Sequence, residues 1–196
     1  NDYKYIGTVY RYLGLVELNS QSWSSAQDYF IKALDFHQKA EWRPAFETTT
    51  LFLGLSYFYD EKYDLAEKFI IKAVQITERR TNTTFYGTTA KLVHTMLKTK
   101  LGTCTENEID LLAKEIEKEN LSNMSLFNVE SSPIKREHWY ISQCYFNLGL
   151  DDKFEKFKKL AYDDMMKSSE YIEDEQVRED YLSLPLLHRK IKGEDL

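Results

Sequence analysis

Cysteine, proline, glycine and histidine are all scarce in this 196-residue chain, and each shortage closes off a class of chemistry. The two cysteines, Cys104 and Cys144, are too few for a disulfide framework and lack CxxC spacing. Reduced thiols fit the cytosol, so a cytoplasmic location is expected. The seven glycines are scattered, whereas a phosphate-binding loop needs them clustered. The four histidines, His37, His94, His138 and His188, never fall four apart as a helical zinc site requires. No apolar run is long enough to span a bilayer, and no stretch reads as a secretory signal. The net charge is −6, without the basic stripe of a nucleic-acid-binding surface. The charge is uneven: residues 1–100 carry 13 basic and 11 acidic side chains, residues 101–196 carry 13 and 21. The acidic half reads as a well-solvated surface. No metal, cofactor, nucleic acid or membrane contact is therefore expected, and no catalytic constellation is found. Cys144 and His138 are six apart, nearly two helical turns, which is poor spacing for a nucleophile and its base.

What the chain does have is a repeat. Tyr10, Leu13, Gly14, Ala26, Phe30 and Ala33 recur forty positions later as Thr50, Leu53, Gly54, Ala66, Ile70 and Ala73. Self-similarity at this period signals stacked helical pairs. Gly14 and Gly54 fall mid-helix, where Gly costs about 1 kcal/mol against Ala, which points to close approach by a second helix. Ala26 and Ala33, like Ala66 and Ala73, are seven apart and share one helix face.

Tyr10-x2-Leu13-Gly14 followed by Ala26-x3-Phe30 and Ala33, then Leu53-Gly54-x2-Tyr57 followed by Ala66 and Ala73, resembles the tetratricopeptide repeat family. The match covers residues 7–80 and, more weakly, 133–166. The period is forty rather than thirty-four, and the closing proline after Ala33 is missing. The resemblance implies an all-α fold, a right-handed solenoid of antiparallel helix pairs. Four units are expected, about 3–40, 44–80, 84–119 and 133–172, with a C-terminal cap over 173–196. Helical patterning begins at once with Tyr3, Ile6, Val9 and Tyr10, so the chain reads as an internal fragment of a longer protein.

Taken in order, helices are expected over about 2–19, 23–40, 44–59, 63–80 and 84–101. In the first, Ile6, Val9, Tyr10, Leu13 and Val16 form the apolar stripe. Ser22 is a candidate N-cap, Pro44 suits a first turn, and His37 is expected half-buried. The third helix is apolar nearly all round and should be covered on several sides. Gly102 ends the fifth, and Thr105-x-x-Glu108 is a capping box opening the sixth. Residues 120–132 read as a long irregular loop. Leu148-Gly149 followed by Phe157 and Ala161 marks the fourth unit. After it, Val177 to Ile191 is too apolar for a free tail. It is expected to fold back on Tyr145–Tyr162, with His188 at the edge and Arg189 and Lys190 in solvent.

In the family the first helix of each pair lines a concave groove. The resemblance implies groove-facing positions at Arg11, Tyr12, Leu15 and Asn19, at Leu51, Phe52, Leu55 and Tyr59, and at Trp139, Tyr140 and Gln143. Chaperone-binding members grip a C-terminal carboxylate with a Lys/Asn/Arg clamp. Here the equivalent positions carry Leu15, Leu51 and Leu55, which argues for apolar contact instead, from a partner or from a helix of the same protein. The expected function is a protein- or peptide-binding module, the scaffold or sensor region of a larger signalling or regulatory protein. The alternatives are a peptide-pheromone receptor of the bacterial quorum-sensing type, which would need a ladder of groove asparagines, and an enzyme regulatory domain.

Overall fold

The computed structural model describes residues 2–78, 85–122 and 136–193. The described residues are helical apart from turns, in ten helices. They are α1 (Asp2–Asn19), α2 (Trp23–Lys39), α3 (Arg43–Tyr59), α4 (Tyr63–Glu78), α5 (Phe85–Lys100), α6 (Glu106–Ser122), α7 (Arg136–Asn147), α8 (Asp151–Ser169), α9 (Glu175–Ser183) and α10 (Leu186–Lys192). The chain divides into two compact units, Asn1–Leu97 and Lys98–Leu196. The expected loop lies, from residue 123 onward, outside the described residues, and α6 runs on through Ser122.

In the first unit, the turns set the spacing. Gln21, Glu41 and Glu61 each adopt positive φ, at 60°, 51° and 58°. They recur every twenty residues, so each helix with its turn occupies half the forty-residue period. The hydrogen bonds repeat too: the N–H groups of Ser22, Trp42 and Lys62 donate to the carbonyls of Glu17, His37 and Tyr57 at 2.9, 3.0 and 2.9 Å. These are the six-to-one bonds of a Schellman-type helix stop, in which the left-handed residue reverses the chain. Ser22 makes no side-chain capping bond.

The helix pairs then close on small residues. A Cβ placed on Gly14 would lie 2.6 Å from the Phe30 ring, and one on Gly54 would lie 2.7 Å from Ile70 Cγ1. At both glycines the large residue of the second helix takes the space a side chain would fill. Ala26, Phe30, Ala33, Ala66, Ile70 and Ala73 are fully buried. Each large apolar side chain buried in this way is worth about 1.5–3 kcal/mol. α3 is the central helix. Its Gly54 side meets α4, while Phe52 stacks on Phe30 of α2 with ring centroids 5.9 Å apart. From Thr48 to Ser56 every residue is buried.

α1 departs from the expected pattern. It buries Gly7, Arg11, Gly14 and Leu18, not the stripe of Val9, Leu13 and Val16, which is exposed. The seam is chosen by closeness of backbones rather than by side-chain hydrophobicity, because glycine lets α2 approach.

In the second unit, α7 packs on α6 and α8, and α9 and α10 pack on α8. Thr105 and Glu108 form the capping box, with Thr105 N–H donating to Glu108 at 2.8 Å. Gly102 sits at φ 70°, as a helix stop requires. Gly149 does the same for α7, so it is not the mid-helix packing glycine of the repeat. That place is taken by Ser142, fully buried, whose hydroxyl donates to the Trp139 carbonyl at 2.7 Å. The tail does fold onto α8, through Leu186 and Ile191 of α10, while α9 buries none of its side chains. His188 is buried rather than at an edge, with Nδ1 bonded to the Tyr181 carbonyl. Arg189 and Lys190 are half-buried rather than in solvent, and burial lowers the Lys190 pKa.

Gly54→Ala is expected to destabilise the protein. The overpacking cost of about 1–3 kcal/mol exceeds the roughly 1 kcal/mol gained from helix propensity, since the added methyl also meets the Ile70 backbone nitrogen at 3.1 Å. Gln21→Gly should do the opposite, adding about 0.5–1 kcal/mol by relieving the left-handed penalty. Denaturant melts check both; a stabilised Gly54→Ala would show that the seam is not closely packed.

Candidate functional site

The eleven groove residues expected from sequence separate by burial. Arg11, Leu51, Phe52, Leu55, Trp139 and Tyr140 are buried. Tyr12 is exposed, and Leu15, Asn19, Tyr59 and Gln143 are partly exposed. In the first unit Phe52 is engaged with Phe30, and Tyr59 stacks on Trp23 with centroids 5.6 Å apart. Arg11 lies under the Tyr12 ring, its guanidinium carbon 5.0 Å from the centroid. Accessible contact area in this unit's set is therefore carried by Tyr12, Leu15, Asn19 and Tyr59.

A larger accessible surface lies beside them on α1. Tyr5, Val9, Tyr12, Leu13 and Val16 are between 40% and 72% exposed. Their spacing of four, three, one and three puts them on one side of the helix, opposite Gly7, Arg11, Gly14 and Leu18. The remaining flank is held by rings. Tyr10 stacks on Phe36 at 5.6 Å and on Tyr29 at 6.2 Å, and Tyr3 meets Phe36 at 6.0 Å. α1 thus packs on α2 along two flanks, and it presents the third as an apolar face. Sequence periodicity assigns Val9, Leu13 and Val16 to the core and misses Tyr5. The available signal is the forty-residue shift: α1, like α3, is apolar on more than one side.

Polar groups inside the first unit serve packing. Gln27 Nε2 donates to Asp60 at 2.8 Å and Lys62 pairs with the same carboxylate at 2.7 Å, tying α2 to the α3–α4 turn. The Lys62 and Gln27 bonds hold the Asp60 pKa below its ordinary value. His37 is fully buried rather than half-buried. The Thr49 hydroxyl donates to the Ala45 carbonyl at 2.6 Å, so its oxygen accepts from His37 Nδ1, 3.3 Å away. The imidazole proton therefore sits on Nδ1, and Nε2 is buried without a hydrogen-bond partner. Burial, with the Arg11 charge adding to it, lowers the His37 pKa to about 4.

In the second unit, Asp110 of α6 joins three helices. It accepts from Tyr145 of α7 at 2.6 Å and from Lys153 of α8 at 2.7 and 2.9 Å, and Lys153 also pairs with Glu106 at 2.8 Å. The Lys153 and Tyr145 bonds hold Asp110 below the usual carboxylate range, while burial pushes the Tyr145 hydroxyl up. Burial likewise pushes the Cys144 thiol far up, so it carries no thiolate near neutrality. His138, six residues before it, is bonded instead to Asp164 at 2.6 Å. Asn147 is tied to Thr99 at 3.0 Å. Among the described residues no three His, Cys, Asp or Glu side chains come together to hold a metal. None of the described helices is long and apolar enough to cross a membrane.

The His37 environment makes stability depend on pH. The unfolded chain protonates an imidazole near pH 6.5, while the native state resists until about 4. The unfolded state thus binds the extra proton first, and stability is full above about pH 6.5 and lost as pH falls toward 4. His37→Asn should shrink the drop in urea midpoint between about pH 7 and about pH 5. An unchanged drop would mean that another group governs it.

No protein-family model, no curated protein and no solved structure matches this chain.

Proposed function

We propose that this chain is a protein- or peptide-binding helical-repeat module, a right-handed tetratricopeptide-like solenoid serving as the scaffold or sensor region of a larger cytoplasmic signalling or regulatory protein. The forty-residue register supports the repeat reading: Gly14 against Phe30 and Gly54 against Ile70 are the same contact made twice. The observation that carries the binding reading is the apolar face of α1. Exposed apolar residues scattered singly are ordinary, but a contiguous apolar patch marks a contact surface. Tyr12 is the expected anchor, since large aromatic residues dominate protein contacts. Asn19 and Leu15 lie within two helical turns of it and supply polar and apolar contacts beside the ring.

Selection of binders from a displayed peptide library against the 196-residue chain tests this. Selected peptides should lose affinity about tenfold or more on Tyr12→Glu or Val9→Glu. They should be indifferent to Tyr171→Glu in the second unit, where the side chain is exposed. Binders insensitive to the α1 substitutions would refute the assignment of the surface.

A further inference from the structure

The twenty-residue rhythm of helix stops in the first unit runs back to the start of α1. Left-handed residues stop the helices at Gln21, Glu41 and Glu61, and twenty positions before Gln21 the sequence carries Asn1. Asparagine is, after glycine, the residue such a stop most often takes. The next residue, Asp2, stands where Ser22 and Trp42 are the N-caps of α2 and α3. Aspartate is a preferred N-cap. Asn1-Asp2 thus has the letters of a turn between two helices. The pattern of cover agrees. Shifting Tyr5, Val9, Tyr12, Leu13 and Val16 by forty gives Ala45, Thr49, Phe52, Leu53 and Ser56 on α3, and all five are buried. α2 covers α3 there, with Phe30 stacked on Phe52 and His37 set against Thr49, and Trp23 stacks on Tyr59 farther along. The helix that does this is the one before α3 in the chain. Its counterpart for α1 is the helix before α1.

We propose that the exposed face of α1 seats a helix of the same chain that directly precedes Asn1, packed on α1 as α2 packs on α3. The proposal rests on the reading of α1 as a protein-contact surface and names its partner. A helix of the length of α2, 17 residues, is about 25 Å long, and the stripe from Tyr5 to Val16 is about 16 Å. One such helix covers the whole stripe. Differences between the two faces say what it must carry. Where α3 has Phe52, α1 has Tyr12, so the position forty before Phe30 takes a large apolar residue. Where α3 has Thr49, whose hydroxyl oxygen accepts from His37, α1 has Val9, which has no polar side-chain atom. A histidine forty before His37 would be buried without that partner, so an apolar residue is required there. Tyr5 and Val16 are larger than Ala45 and Ser56, so small residues must face them at the two ends.

Thiol labelling of Val9→Cys is the test, in the 196-residue chain and in the natural chain that carries the residues preceding Asn1. Cys104 and Cys144 are buried and stay silent in the native state. In the 196-residue chain the introduced thiol should react readily with a maleimide, as should one introduced by Tyr171→Cys at an exposed position of the second unit. In the longer chain the Val9→Cys thiol should react about tenfold more slowly or less, because labelling then waits for local opening, while the Tyr171→Cys thiol keeps its rate. Equal Val9→Cys rates in the two chains would overturn the proposal. So would a natural chain with no helix-forming segment before Asn1. Peptides selected on the 196-residue chain should fail to bind the longer one, because their site is taken. Peptides lost on Tyr12→Glu that still bind the longer chain would overturn the covering helix while sparing the binding reading; peptides indifferent to Tyr12→Glu would sink the surface itself.

Discussion

Glycine facing a large side chain across a helix pair is the contact on which the first unit depends. At Gly14 and Gly54 the facing residue, Phe30 or Ile70, fills the space a side chain would take. Ala26, Ala33, Ala66 and Ala73 on the second helices are fully buried. A pair joined this way has an inner side already used, so everything else the helix carries must be covered by another pair or left exposed. α3 is covered twice and becomes the core. α1 is covered once and becomes the surface. The functional reading follows from this difference in cover rather than from any reactive group.

The second unit solves the same packing problem with polar groups. Ser142 replaces the mid-helix glycine and returns its hydroxyl to the Trp139 carbonyl. Tyr145, packed against Phe157 at 5.4 Å, sends its hydroxyl to Asp110, which Lys153 also neutralises. Removing one member would leave a charge or a hydroxyl at a partly buried place, so this joint is demanding as well as specific. At the end of the chain, Leu186 and Ile191 seal α8, and the positive φ of Gly193 ends α10.

Much of this architecture is legible in the sequence. Regular apolar spacing with Leu-Gly and Ala-x6-Ala recurring at forty marks helical pairs, and helix ends at Asn19, Tyr59 and Gly102 can be read from turn residues. Two things are not legible, for physical reasons. Left-handed backbone at Gln21, Glu41 and Glu61 is imposed by the helix stop and leaves no glycine to flag it. Periodicity locates an apolar face but does not say which of two faces a neighbour covers, so it turns α1 the wrong way. The fourth unit is legible once the register is taken from spacing: Leu148-Gly149 matches the repeat by letters, whereas the 88 residues that separate Ala73 from Ala161, counted from Leu53-Gly54, give Ile141-Ser142, the pair that is buried. Of the candidate binding residues, sequence places Tyr12 on the accessible surface but does not separate it from Phe52, whose ring is consumed by Phe30.

The central claim is that each helix pair of the first unit is closed by glycine lying against one large residue of its partner helix. Nuclear Overhauser contacts in the isotopically labelled chain report on this directly. Strong cross-peaks are expected from the Gly14 α protons to the Phe30 ring and from the Gly54 α protons to the Ile70 γ-methylene. Absence of both, with Phe30 or Ile70 instead showing contacts to Val9, Leu13 or Val16, would contradict it.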